Sequence, residues 1–416
     1  MAASKRISQS FIIEPPVAQA IADDPDAQQW VEDWQKVLAR DLIDSRIVEV
    51  DADTSVEDAC ETLLSEKILC LAVKAIEPHG DKESYAGLFD FADVNAFLTL
   101  AATRHALLRD DNPRVDAIIS AARAGHVPVH LVSNLSEKNP LETIPDSASL
   151  ISLLEVFSRG AHRALIRSPD GSCLGIVSDR RLLTWFAEYT PTASFLATPL
   201  LSLWLPSLHL FSAVVTATST SSVLDAMRLM SEEGVSSVAV LDDDSGVLLS
   251  AVSVTDIGRI VVPSQNNQIL STPLNQFVAL IKAPDGSTDG VDRYPVYAVS
   301  PTSLLSFTIQ KLLATNSHRL FITSDTNGST SPIIPTARIP GNLTGIVSIV
   351  DILSLFARLA HLDVDPARMQ RHRRASSASS NSAHSARSGS RPSSRSGVRV
   401  GRTPSLRTST GLGGTS

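Results

Sequence analysis

Four short stretches carry a small residue, a hydroxyl and a carboxylate at spacings that suit a sugar-binding corner. They are Gly87-Leu88-Phe89-Asp90-Phe91-Ala92-Asp93, Gly175-Ile176-Val177-Ser178-Asp179-Arg180-Arg181, Ser250-Ala251-Val252-Ser253-Val254-Thr255-Asp256 and Gly345-Ile346-Val347-Ser348-Ile349-Val350-Asp351. In each, an apolar run ends in a polar turn that opens a helix. A carboxylate at such a corner accepts hydrogen bonds from ribose hydroxyls, as acidic residues do in dinucleotide sites. The same Ser-x-x-Asp spacing is also close to a capping box, in which the hydroxyl and the acid satisfy the helix's own first N–H groups. That role alone accounts for Ser253/Asp256 and Ser348/Asp351. The stretches are not uniform: Asp90 replaces the hydroxyl of the first, Arg181 the carboxylate of the second, and Ser250 the leading glycine of the third.

Positioning these corners requires one order of elements, read most plainly between Val214 and Ile260. Val214 to Ala217 reads as a strand, and Ser221 or Ser222 caps the helix that follows. Val223, Met227 and Met230 give that helix an apolar face, and Gly234 stops it. Val235 to Leu241 and Val247 to Val252 then read as strands joined by an Asp/Ser/Gly turn, leading into the signature helix. The resulting β-α-β-β-α unit recurs at Val48–Leu100, Pro145–Tyr189 and Val296–Leu359, with longer hairpin loops at Glu77–Ser84 and Ser324–Asn342. Recurrence of this kind specifies a fold before a function. The expected organisation is an N-terminal segment (1–39), repeats at 40–105, 128–192, 212–265 and 290–361, a linker at 193–211 between the second and third, and a tail at 362–416.

Outside the repeats, Trp30, Trp34, Val37 and Leu38 form a short amphipathic stripe after Asp24-Pro25-Asp26, read as a helix packed on the body. The chain of 416 residues is 43% hydrophobic, enough to bury a sizeable core. Its net charge of −8 conceals an asymmetry, because residues 366–416 contain ten Arg and no Asp or Glu. An acidic body argues against general nucleic-acid affinity. The Arg/Ser/Gly tail is too poor in apolar residues to offset the entropy of ordering and is expected to be disordered. Three cysteines without CxxC spacing indicate neither a disulfide framework nor a zinc site, and suit a reducing compartment. The first twenty residues lack a secretory h-region. The apolar run Phe195–Val215 is interrupted by Pro199, Pro206 and His209, and reads as a buried connection rather than a membrane span.

Four such units with Gly-x-x-Ser/Thr-x-x-Asp signatures resemble cystathionine-β-synthase (CBS) domains, over roughly residues 40–360. The resemblance implies an α/β (α+β) fold of four CBS repeats paired as two Bateman modules. Within that group the chain resembles fungal CBS-domain regulators of the Sds/Moc type, and more distantly the gamma subunit of AMP-activated protein kinase. The likeness implies AMP, ADP or ATP as ligand, with Asp93, Asp256 and Asp351 in the ribose-binding position and Ser253 and Ser348 beside them. Arg181 cannot accept a ribose hydrogen bond, so the second site is expected to be empty or to read phosphate. His162-Arg163 and His318-Arg319, each at the start of a second strand, resemble the gamma subunit's phosphate contacts. The fourth repeat unites Gly345, Ser348, Asp351, His318 and Arg319 and is the leading site by this reading.

No P-loop, GxSxG elbow, HExxH or CxxC pair occurs, and the repeats leave no room for a separate catalytic domain, so a non-enzymatic protein is expected. The resemblance implies an inhibitor of a type 2A-like protein phosphatase, acting in nutrient response, DNA replication and cell separation. A nucleotide-sensing subunit of a kinase complex is the alternative. Arg373-Arg374-Ala375-Ser376, Lys5-Arg6-Ile7-Ser8 and Thr403-Pro404 resemble kinase targets, and Arg371-His372-Arg373-Arg374 resembles a nuclear-import signal. Cytoplasmic and nuclear residence follows as an expectation, with neither nucleic acid nor membrane as partner.

Overall fold

In a computed structural model that describes residues 25–76, 85–107, 113–189, 194–203, 205, 214–264, 267–282, 298–324 and 342–362, every repeat is assembled from the same local choices. The interiors of both hairpin loops, the Lys5–Ser8 motif and the Arg/Ser-rich tail with its kinase-like and import-like motifs lie outside the described residues. Helix α1 (Pro25–Lys36) precedes the repeats. The first repeat comprises β1 (Glu49–Val50), α2 (Val56–Ser65), β2 (Cys70–Lys74), β3 (Tyr85–Asp90) and α3 (Phe91–Leu107), followed by an accessory helix α4 (Pro113–Arg123). The second comprises β4 (Thr143–Pro145), α5 (Leu150–Ser158), β5 (Arg163–Arg167), β6 (Cys173–Ser178) and α6 (Asp179–Tyr189). The third has β7 (Thr216–Thr218), α7 (Val223–Glu232), β8 (Ser237–Leu241), β9 (Leu248–Ser253) and α8 (Val254–Ser264), with α9 (Leu274–Lys282) behind it. The fourth has β10 (Ala298–Val299), α10 (Leu305–Ala314), β11 (Arg319–Ser324), β12 (Asn342–Ser348) and α11 (Ile349–Leu359).

Each repeat forms one three-stranded sheet in sequence order, with the first pair of strands parallel and the second antiparallel. The hairpin register shifts at one equivalent position in all four, between Val73/Lys74, Ile166/Arg167, Val240/Leu241 and Ile322/Thr323. Such a bulge twists the ladder and turns the strand end. The first helix of each repeat ends two residues before a left-handed residue: Lys67, Gly160, Gly234 and Asn316. Glycine or asparagine fills that position at little cost in three of the four. Ser222 closes a full capping box with Asp225 at the start of α7, and Ser55 accepts the Asp58 N–H at 3.0 Å at the start of α2.

Two kinds of contact close the repeats into a ring within one chain. Sheet faces pair the first repeat with the second through Cys70, Ala72, Leu88, Leu165 and Ile176, and the third with the fourth through Ala239, Leu248, Phe321 and Leu343. Helices pair the first with the third, where Val94, Met227, Met230 and Ile257 share a core, and the second with the fourth, where Phe186 and Phe356 stack at 4.0 Å. Trp34 of α1 is buried edge-on against Phe186 and Phe356, so the amphipathic stripe is an anchor on the body. The described part of the 193–211 stretch forms two 3-10 turns, Ser194–Ala197 and Leu200–Ser202. The Leu200 and Leu201 N–H groups donate to Ser303 and Pro301 of the fourth repeat at 2.9 Å. Among the described residues no helix is long and apolar enough to cross a membrane.

Two helices were absent from the sequence reading. Helix α9 buries Leu274, Phe277 and Val278 at helical spacing, a pattern that is visible in the chain once its neighbours are known. Helix α4 fully buries only Ile118 and carries a correspondingly weak signal.

Candidate functional site

The four signature corners all cap their helices. Ser348 and Asp351 form a complete capping box, with the Ser348 N–H and Oγ donating to Asp351 Oδ2 at 2.8 and 2.6 Å. Ser253 and Asp256 do the same at 2.9 and 2.6 Å. Ser178 Oγ accepts the Arg181 N–H at 3.1 Å. In the first repeat Asp90 acts in place of the hydroxyl, accepting from the Ala92 and Asp93 N–H groups at 2.8 and 3.2 Å.

The corners differ in what remains accessible. Asp93 is buried, and its oxygens accept the N–H groups of Asp90, Asn134 and Ser136 at 2.8–3.2 Å. Burial first, and the neighbouring Asp90 second, push its carboxyl up to about 8. Asp351 is fully buried. Ser253 and Asp256 are half-buried and face a cavity of about 630 Å³ that also receives His162, Arg163, His318 and Arg319. The sequence reading placed the leading site inside the fourth repeat. The structure instead builds this cavity across repeats, uniting the third repeat's hydroxyl–carboxylate pair with the second and fourth repeats' cations, while Ser348, Asp351, Asp93 and Arg181 do not line it.

The strand starts explain the convergence. β5 and β11 begin at Arg163 and Arg319, just after the paired histidines, and the helix pairing of the second and fourth repeats brings these ends face to face. The two imidazoles meet edge to face at 5.4 Å. Arg163 Nη1 lies 3.8 Å from Asp90 Oδ2, and Arg319 Nη2 donates to Ser236 Oγ at 2.5 Å. Burial lowers the affinity of the Arg319 guanidinium for its proton, partly offset by Asp351. Lys138, Arg259 and the Thr315-Asn316-Ser317 turn also line the cavity. They went unnoticed because a lone Lys or Arg in a loop or helix carries no signal until folding places it. A cluster of cationic donors opposite a hydroxyl–carboxylate pair suits a ligand with a phosphate at one end and a vicinal diol at the other.

Asp179 is the other residue that sequence reasoning missed. It opens α6, where the equivalent positions hold Phe91, Val254 and Ile349, so a carboxylate replaces an apolar side chain. It is fully buried and its Oδ2 lies 2.7 Å from His162 Nδ1 and 3.8 Å from His318 Nδ1. Despite burial, the two imidazoles hold its carboxyl below the usual carboxylate range. Burial pushes His162 toward its neutral form, against the attraction of Asp179.

Comparison with known proteins agrees with this architecture. The model of the CBS domain family matches residues 132–188 and 211–262. A protein named Sds23 from Aspergillus niger is 30% identical over 403 residues, covering 84% of this chain and 77% of its own length. Another, from Yarrowia lipolytica, is 31% identical, covering 86% of this chain and 74% of its own length. Among solved structures, a Methanocaldococcus jannaschii protein described as a candidate archaeal homologue of g-AMPK superposes with a TM-score of 0.55 over 77% of this chain and all of its own, at 15% identity.

Proposed function

We propose, for a chain that belongs to the Sds23 family of CBS-domain proteins, that its central cavity holds an adenine nucleotide and that the ring regulates a type 2A-like protein phosphatase. The coarser part needs no proposal: this is a CBS-domain regulatory protein, and relatives about 30% identical to it are named Sds23. One observation carries the ligand reading. Arg163, Arg319, His162 and His318 share a cavity of about 630 Å³ with Ser253 and Asp256. That volume falls within the range of small-molecule sites, and its chemistry is divided between phosphate donors and a diol acceptor. Asp256 accepts from the ribose hydroxyls, and Arg319 and Arg163 face the phosphates.

Calorimetry of the full chain with AMP, ADP and ATP tests the ligand. Binding is expected, and Asp256→Ala is expected to weaken it about tenfold, the equivalent of one charge-assisted hydrogen bond. Absence of heat at millimolar nucleotide removes the ligand and leaves a scaffold. The phosphatase rests on the family resemblance. Pull-down from fungal extract with the full chain is expected to recover phosphatase catalytic or regulatory subunits, and recovery of kinase subunits instead would favour the alternative role suggested by the g-AMPK likeness.

A further inference from the structure

We propose that His162, Asp179 and His318 form a binding site for a divalent first-row transition metal of the zinc class, at the junction of the second and fourth repeats. The three ligand atoms lie within 4.8 Å of one another and come from the residue before β5, the first residue of α6 and the residue before β11. Backbone hydrogen bonds fix the same corner in both repeats: the Asp179 N–H donates to the His162 carbonyl, and the Ile349 N–H to the His318 carbonyl, each at 3.0 Å. The ligands therefore sit on strand and helix ends, which hold a site better than loops do.

Hydrogen bonding alone leaves the cluster incomplete. Asp179 Oδ2 is shared between two imidazole nitrogens, one at 2.7 Å and one at 3.8 Å, while Asp179 Oδ1 and His318 Nδ1 are buried without a hydrogen-bond partner. A buried polar atom left unpaired costs about 1–3 kcal/mol, and native proteins rarely leave two in one place. A cation coordinated by the two Nδ1 atoms and the carboxylate would occupy these atoms together. Zinc bonds of about 2.0–2.2 Å at a tetrahedral angle put ligand atoms roughly 3.4 Å apart. The His318–Asp179 distance is close to that, and the His162–Asp179 pair reaches it by a small imidazole rotation. The metal takes the place of the proton between His162 Nδ1 and Asp179, and the neutral imidazole keeps that proton on Nε2.

Two imidazoles and one carboxylate favour zinc and its neighbours over magnesium or calcium, which take oxygen ligands. The nearby guanidiniums are each drawn elsewhere as well, Arg163 to Asp90 and Arg180 to Asp44. His162 and His318 both line the central cavity, so the fourth coordination position opens onto it. The site rests on the His–Asp–His geometry and not on the nucleotide reading, and its test uses metal alone.

Full-length protein freed of metal with a chelator is titrated with zinc, and with cobalt as a spectroscopic probe. One equivalent is expected, with a visible cobalt absorption typical of a four-coordinate site. His318→Gln, at a side chain 38% exposed, is expected to abolish that equivalent while preserving the circular dichroism spectrum. His318→Cys, which returns a zinc ligand to the same position, is expected to restore it. Failure of the wild type to take up one equivalent, or uptake unchanged in His318→Gln, overturns the proposal. Should His318→Gln unfold, the cysteine variant decides: a folded His318→Cys protein without the equivalent overturns the site equally.

Discussion

Asp93 shows how one carboxylate changes meaning once it is folded. Its spacing fits a ribose acceptor, yet three backbone N–H groups, one from the end of β3 and two from the loop at 134–136, converge on it, and burial with Asp90 beside it drives its carboxyl up to about 8. A group whose pKa rises on folding stabilises the native state most below its unfolded value, and that contribution is lost as pH climbs through the folded one. The chain is therefore expected to lose stability between about pH 4 and pH 8 through this residue, and Asp93→Asn is expected to flatten that slope. Urea midpoints measured across the interval check it; parallel slopes for the two proteins would show that Asp93 titrates normally. The signature residues were readable because each corner is local, four to seven neighbours in sequence. The exposure of each carboxylate was not, since it depends on which loop lands on it: Asn134 and Ser136 close over Asp93, whereas Asp256 faces the cavity. Asp179 escaped notice for a related reason, because its two histidine partners lie in different repeats.

At the level of elements, the junction between α3 and α8 depends on a missing side chain. Gly258 sits within α8 where an added Cβ would lie 2.0 Å from Cδ1 of Phe91, the first residue of α3. In an open helix, Gly→Ala gains up to about 1 kcal/mol from propensity. Here the contact lies far inside van der Waals range and Phe91 is itself buried, so overpacking of about 1–3 kcal/mol outweighs that gain. Gly258→Ala is expected to lower the denaturation midpoint, and because Phe91 lines the cavity, to weaken nucleotide binding as well. A variant as stable as the wild type would mean that the two helices part without cost. The elements themselves were largely legible. Helix α7 emerges from Val223, Met227 and Met230 with its Ser222 cap, and the Asp/Ser/Gly turn before β9 from its own composition. Strand edges moved by a residue or two, as where β8 begins at Ser237 rather than Val235, because strand limits follow pairing partners and not the apolar run.

For the whole molecule, the partner of each repeat is a question that four similar units cannot answer from sequence. Each presents one sheet face and one helical face, and both are apolar, so several pairings would bury comparable surface. The structure distributes them consistently: sheets join neighbours in sequence, and helices join the first repeat to the third and the second to the fourth. The cavity and the His–Asp–His cluster bring together ends of different repeats, which is why the sequence singled out His162, Arg163, His318, Arg319, Ser253 and Asp256 without locating the site. If the helical faces hold the two modules together, separating the modules exposes them. The chain divided into residues 1–209 and 210–416 and produced as two polypeptides is expected to copurify as a one-to-one complex. Either piece alone is expected to aggregate or to pair with itself, since Phe186 with its buried neighbours, and Met227 with Met230, would face water. Light scattering on each piece and on the mixture checks this. Two soluble monomers that ignore one another would show that the sheet-paired modules are self-sufficient, and that the ring needs a ligand or partner to close.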